Sequence, residues 1–224
     1  MRCRSLIVAL IAVHLLLMTL RASPQEAQDQ PLSAVPELVG TRYCYGDAEV
    51  FSVLLKLRVK YTNRGQRAVI LEKEIGKAWY SVKVSRTLED LHVGNYEYNP
   101  NIDWFFTDKD KLPDKPNAKS PGQDFVILSP GQMFEGEIDA EVVAQYESPK
   151  SFAGSIRPGA HVLQLELSAW SHPGEASEFA KSWQKFGDLV TGVIQTEPLE
   201  IRIPSSPKVE KIADNHFWQS TAKS

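Results

Sequence analysis

The chain has very little cysteine. Its 224 residues include two, Cys3 and Cys44, and Cys3 lies in a segment that we expect to be removed on export. One remaining cysteine cannot form an intramolecular disulfide, which excludes the class of small secreted domains held together by such bonds. Cys44 stands between Tyr43 and Tyr45, and we interpret it as a small apolar residue at the edge of the core. Intermolecular pairing and a reactive thiol are the alternatives.

The local motifs of the common enzyme classes are missing as well. The sequence contains no G-x-S-x-G elbow, no H-E-x-x-H helix, no C-x-x-C pair and no glycine-rich phosphate loop. Asp108, Asp110 and Asp114 loosely resemble a calcium loop, but Leu112 stands where a third oxygen ligand is expected. We therefore predict no catalytic residue, no metal and no cofactor. A secreted hydrolase or protease-inhibitor-like protein, whose site is assembled only in space, is the alternative.

An excess of positive charge is absent too. The chain has 25 Lys and Arg against 28 Asp and Glu, and removal of residues 1–22 deletes three arginines and no acid, which changes the net charge from −3 to −6. A mildly acidic protein has no electrostatic reason to bind nucleic acid or an anionic membrane, so we predict neither as a partner. The lack of an Asn-x-Ser/Thr sequon slightly favours a bacterial envelope over a eukaryotic secretory route.

An apolar run opens the chain. Arg2 and Arg4 precede Leu6–Leu20, and the small residue Ala22 follows, which is the order typical of a secretory signal peptide. The run is shorter than the roughly 18 to 20 residues of a membrane-spanning helix, which argues against an N-terminal anchor. We predict a signal peptide at 1–22, a periplasmic or extracellular location, and no membrane attachment after cleavage.

The strongest periodic pattern covers Val50–Thr62, where apolar residues alternate with lysines and arginine. Such alternation predicts a strand with one buried and one solvent-exposed face. Phe134–Val142 and His161–Ala169 repeat the pattern, the former with acids on the polar face, so three long strands can enclose one core. The acids of Phe134–Val142 either face water or pair across strands with the lysines and arginine of Val50–Thr62. The residues predicted to face inward are Leu55, Leu57, Val59, Tyr61, Phe134, Gly136, Ile138, Ala140, Val142, His161, Leu163, Leu165, Leu167 and Ala169.

Shorter strands are predicted around these. Asn63–Gln66 has the residues of a tight hairpin turn. The strand that starts at Val50 is therefore predicted to form a three-strand meander with Arg67–Leu71 and Ala78–Ser85. Phe125–Leu128 is a further short strand. A closing strand at 199–203 lies between two prolines, which is typical of a sheet edge.

One helix is predicted, at 175–187. Phe179, Trp183 and Phe186 form an apolar stripe at helical spacing, and Gly187 is suited to end the helix. We predict that this stripe packs over one end of the sandwich. A helix that presents its aromatic residues to a partner is the alternative.

These elements divide the chain into a signal peptide (1–22), a disordered leader (23–37), a single β-sandwich domain (38–204) and a polar C-terminal tail (205–224). The predicted fold is all-β, an antiparallel sandwich with one inserted short helix and a long irregular loop. Residues of about 125–204 resemble immunoglobulin or fibronectin type III sandwiches, because a Pro-Gly turn precedes each of two long strands. The cysteine pair of antibody-type domains is missing, and the resemblance carries no function with it.

The candidate functional segment is the irregular stretch 87–123, which is longer than an ordinary connection. Its first half holds five aromatic residues within eleven positions: Tyr96, Tyr98, Trp104, Phe105 and Phe106. Aromatic rings offer large, rigid contact area at a small entropic cost. We predict a binding module that presents these rings to a protein or carbohydrate partner. The alternative is that 104–106 folds back as a lid on the core.

Overall fold

The computed structural model describes residues 31–76, 79–103, 116–117, 119–148, 150, 152–172 and 175–210. These residues form an all-β protein, as predicted, with two short helices. The strands are β1 (Leu32–Tyr45), β2 (Val50–Asn63), β3 (Val69–Glu72), β4 (Trp79–Ser85), β5 (Asn101–Asp103), β6 (Phe125–Leu128), β7 (Met133–Gln145), β8 (Gly159–Ser168), β9 (Asp188–Leu189), β10 (Val193–Gln195) and β11 (Leu199–Ile203). The helices are α1 (Leu88–Val93) and α2 (Ala176–Trp183). Neither described helix has the length and apolar character needed to cross a bilayer.

The strands form three sheets. The first has the order β1-β2-β7, the second β10-β8-β4-β5 with β11 also paired to β8, and the third β6-β3-β9. Only β3 and β9 run parallel among the described pairs. The inward side chains of β2, β4 and β8 belong to one apolar cluster, to which all three sheets contribute. Burial of each aliphatic side chain in such a cluster stabilises the fold by roughly 1.5–3 kcal/mol.

The alternation predicted for the long strands is confirmed. Leu55, Leu57 and Val59 of β2 are buried, and so is His161 at the start of β8. On the outer face of the first sheet, the cations of β2 lie opposite the acids of β7. The Lys56 ammonium is 2.8 Å from a carboxylate oxygen of β7. The acids of β7 therefore pair across strands, which was one of the two roles expected of them.

The predicted meander is wrong, because β2, β3 and β4 belong to three different sheets. β2 uses both of its edges to pair with the long strands β1 and β7. Asn63 redirects the chain: its side-chain amide donates to the carbonyls of Arg67 and Leu128, each at 2.8 Å. All four residues of β3 are buried, which suits a central strand between β6 and β9 rather than the arm of a hairpin.

Both ends of the domain extend further than predicted. β1 starts at Leu32, inside the stretch 23–37 that was expected to be disordered. The Ala34 carbonyl accepts from the Glu197 amide and not from β2. Pro36, two residues later, faces the same side of β1, where no strand of the sheet pairs. Its missing N–H therefore costs no hydrogen bond between strands. At the other end, the Glu210 amide donates to the Tyr43 carbonyl at 2.9 Å. The predicted tail is thus attached to β1 as far as residue 210.

The predicted helix packs on the protein, so the alternative of a partner-binding aromatic stripe does not hold. Phe179 and Trp183 are fully buried with Ile70, Phe125 and Trp170 in a second apolar cluster. The helix ends at Trp183, not at glycine 187. That glycine is needed for a different reason: a Cβ there would lie 2.6 Å from the Ala68 carbonyl oxygen, where β9 approaches β3.

Candidate functional site

The irregular stretch 87–123 begins with a helix that the sequence pattern did not indicate. Thr87 caps α1, its hydroxyl accepting from the Asp90 amide at 3.1 Å, and Gly94 ends the helix with φ of 78°. Six residues are too few for helical periodicity to be recognised. The signals that could have located α1 are the capping threonine and the terminal glycine.

The two described aromatic residues of the candidate site have different surroundings. Tyr98 packs against the core, and burial raises its pKa to about 12, an effect that the Val143 backbone opposes in part. Tyr96 lies beside Lys83, whose ammonium is 5.3 Å from the ring centroid. Trp104, Phe105 and Phe106 lie outside the described residues, so their predicted role remains a prediction. Tyr98 therefore anchors this segment, and Tyr96 is the ring beside polar groups.

These polar groups belong to the second sheet. Its outer face carries a row formed by Gln195, Glu166 and Ser81 on the adjacent strands β10, β8 and β4. Gln164 and Lys83 are paired in the next row. We call these five residues the polar face. They share one face because strand residues two positions apart point the same way.

Hydrogen bonds connect the polar face. The Lys83 ammonium donates to Glu166 Oε1 at 2.5 Å, and the Gln195 amide donates to Gln164 Oε1 at 2.8 Å. The Ser81 hydroxyl donates to Asn99 Oδ1 at 3.0 Å. Only 14% of the Lys83 side chain and 25% of the Glu166 side chain are exposed. The face is thus an ordered polar surface in which an ion pair is largely withdrawn from solvent.

Lys83 remains positively charged on this face. Burial acts to lower the pKa of its ammonium, but the hydrogen bond and the negative charge of Glu166 outweigh that effect, and the net pKa is raised. The arrangement supplies ammonium, carboxylate and amide groups side by side, whereas the Ser81 hydroxyl is buried and bonded to Asn99. Such groups can orient a ligand rich in hydroxyls.

A second polar cluster is buried between β3 and the segment after β8. Ser171 donates its hydroxyl to the Glu72 carboxylate and its amide to Glu72 Oε2 at 2.9 Å. His172 Nε2 lies 3.9 Å from Glu72 Oε1, and burial lowers the pKa of this histidine. A nucleophilic serine would give its proton to the imidazole, whereas this serine gives it to the carboxylate. We interpret the cluster as a set of structural hydrogen bonds that joins β3 to the segment after β8, and not as the spatially assembled site of a hydrolase.

Sequence reasoning missed both clusters. Lys83 and Glu166 are 83 residues apart, and Glu72 and Ser171 are 99 residues apart. Neither pair has a local motif, because each joins segments that are distant in the sequence. The sequence does show that polar residues alternate with apolar ones in β4 and β8. This alternation predicts a polar face on each strand, but it does not show which strands lie side by side.

Comparison with known proteins does not identify the function of this chain. No protein-family model and no curated protein matches the chain. A solved structure, described as the X-ray structure of a Northeast Structural Genomics Consortium target, aligns with 85% of this chain and 100% of its own, at 10% sequence identity and a TM-score of 0.33. A likeness of this size supports no inference about fold family or function.

Proposed function

We propose that this protein is an exported, non-enzymatic binding module that takes an oligosaccharide on its polar face and on the aromatic segment 96–106. The export signal at 1–22 is part of the proposal. So is a sandwich of the immunoglobulin or fibronectin type III class, which the shared core of the first and second sheets supports. Trp104, Phe105 and Phe106 are proposed as further ligand contacts beside Tyr96, with Tyr98 as the anchor of the segment.

The observation that carries the proposal is the half-buried Lys83–Glu166 pair beside the Tyr96 ring. A sugar presents an apolar C–H face to an aromatic ring and hydroxyls to charged and amide side chains. Adjacent strands lie about 4.8 Å apart, so the side chains of one row form a regularly spaced array. Such an array suits an extended chain of sugar rings better than the convex surface of a protein loop.

Binding is tested by screening soluble oligosaccharides with ligand-observed NMR and measuring affinity by calorimetry. We expect Tyr96→Ala and Glu166→Gln to weaken binding by about tenfold or more, because each removes a direct contact. Glu137→Gln is the matched control, since it removes the carboxylate of an exposed Lys–Glu pair on the outer face of the first sheet.

The same experiment separates the alternatives. Equal binding by the control and the two face variants would refute the polar face as the site. Cleavage of the bound oligosaccharide would favour the hydrolase alternative. If a protein is captured and no oligosaccharide binds at millimolar concentration, the ligand is a protein and not an oligosaccharide.

A further inference from the structure

His161 has an unusual hydrogen-bonding environment. Its side chain is fully buried, and each ring nitrogen faces an oxygen: Nε2 lies 2.7 Å from the Arg157 carbonyl, and Nδ1 lies 3.2 Å from Glu97 Oε2. A carbonyl only accepts, so the neutral ring carries its hydrogen on Nε2. Nδ1 then turns a lone pair toward a carboxylate and makes no hydrogen bond. A proton on Nδ1 would convert this contact into a charge-assisted hydrogen bond.

Two charged side chains surround this contact. Arg86 Nε donates to Glu97 Oε1 at 2.9 Å, and Arg86 Nη1 donates to the Pro158 carbonyl at 3.3 Å. Gly159 allows that approach, because at its φ of 131° a Cβ would lie 2.8 Å from Arg86 Nη1. The arginine therefore pairs with Glu97 Oε1 in both protonation states of His161, and Glu97 Oε2 gains a second hydrogen bond only when His161 Nδ1 carries a proton.

The other elements near the ring contribute no facing charge among the described residues. β11 places Ile201 opposite His161, and its charged neighbours Glu200 and Arg202 are exposed. Arg157 offers its carbonyl to the ring while its side chain is exposed. The titratable and charged groups that face His161 are thus Glu97 and Arg86.

Glu97 connects this contact to the candidate site. It lies between Tyr96 and Tyr98, and its amide donates to the Val84 carbonyl at 2.8 Å. The Tyr98 amide donates to the same carbonyl at 3.3 Å, and the Val84 amide returns a bond to Tyr98 at 2.9 Å. Movement of Glu97 therefore moves the segment that carries Tyr96.

We propose that His161, Glu97 and Arg86 form a proton-operated latch, in which protonation of His161 Nδ1 fastens the segment 95–99 to β8 and orders the Tyr96 side of the ligand site. The regulatory meaning of the latch rests on the proposed function. The latch itself is a property of the unliganded protein.

The direction of the effect follows from linkage. Burial lowers the pKa of His161 below the ordinary value of 6.5, Arg86 lowers it further, and the Arg157 carbonyl and Glu97 act to raise it. Because Glu97 favours the protonated ring, protonation must in turn favour the closed segment. Because the net pKa is lowered, the stability that His161 gives to the whole fold is present above pH 6.5 and is lost as the pH falls. Acid thus tightens the segment while it weakens the global fold.

NMR tests the latch without a ligand, through the His161 ring resonances and the hydrogen-exchange protection factors of the Glu97 and Tyr98 amides. Between about pH 7.5 and the pH, below 6.5, at which the His161 ring is fully protonated, we expect both protection factors to rise by about tenfold, the effect of one charge-assisted hydrogen bond. The midpoint should coincide with the titration of the His161 ring. Protection that is constant, or that falls as the ring titrates, would overturn the latch.

Two variants and a control complete the test. In Glu97→Gln the side-chain amide can donate to the neutral Nδ1, so protection should be high at both pH values and independent of the His161 ring. His161→Gln should abolish the rise, and His92→Gln, which removes an exposed histidine, should keep it. If His161→Gln does not fold, the Glu97→Gln result still decides. Failure of oligosaccharide binding at every pH, with the exchange behaviour intact, would refute the proposed function and leave the latch.

Discussion

The molecule carries two sheet faces on which a lysine pairs with a glutamate across strands, and they differ in exposure. On the first sheet the Lys56–Glu137 side chains are 52% and 56% exposed, whereas on the polar face the Lys83–Glu166 side chains are 14% and 25% exposed. Exposed pairs contribute little to stability and keep a sheet face soluble. A pair withdrawn from solvent beside an aromatic ring and amides has the features of a recognition surface. Under the proposed function, the same cross-strand pairing supports solubility on the first sheet and ligand recognition on the second.

The largest expected effect comes from the reverse side of the polar face. Leu165 of β8 is fully buried, and its neighbour Glu166 points to the polar face. Leu165→Ala should lower the free energy of unfolding by about 2–5 kcal/mol, because it leaves a cavity. Urea titration measures the loss. Glu166→Gln should cost far less, and an equal loss would show that the two faces of β8 are not distinct.

The second prediction separates the two tyrosines of the aromatic segment. Tyr98→Ala should destabilise the fold by about 2–3 kcal/mol, because the ring packs against the core. Tyr96→Ala should leave stability nearly unchanged and affect ligand binding. Thermal and urea unfolding of the two variants check this. Similar losses of stability would assign both rings to the core and remove Tyr96 from the proposed site.

The third prediction tests the two ion pairs directly. Lys83→Met should lower the free energy of unfolding by about 1 kcal/mol, because Glu166 is then left partly buried without its donor. Lys56→Met should have no measurable effect, because its partner is solvated. If both variants unfold at the same urea concentration as the native protein, the difference in exposure has no energetic consequence.

A small effect is also expected at Cys44, which lies at the edge of the core and takes part in neither ion pair. Its side chain is buried, and burial raises the pKa of the thiol, so it is a poor nucleophile. Cys44→Ser should move the melting temperature by only a few degrees. Differential scanning calorimetry measures the shift. A covalent dimer of the native protein on a non-reducing gel would contradict a purely structural cysteine.

Sequence reasoning identified the strands with the clearest alternation. The inward residues of β2 and β8 are buried as predicted, because a period of two residues is a local property of the chain. Sequence reasoning failed where an element is short, or where its composition is not typical of the structure that it forms. α1 has six residues, and β1 contains Pro36 in a segment otherwise rich in polar and small residues. Proline is tolerated at this position because its missing N–H lies on the side of β1 that does not pair with β2.

The sequence by itself determined which residues face inward, the scarcity of disulfide chemistry and the aromatic richness of 96–106. Only the tertiary structure decided that β2, β3 and β4 lie in three sheets, and that Tyr98 packs inward while Tyr96 meets Lys83. It also brought Lys83 to Glu166 and His161 to Glu97. The physical reason is that alternation is encoded by neighbours in sequence, whereas pairing is selected by how well distant strands bury each other's apolar faces. Contacts between distant strands therefore cannot be read from either segment alone.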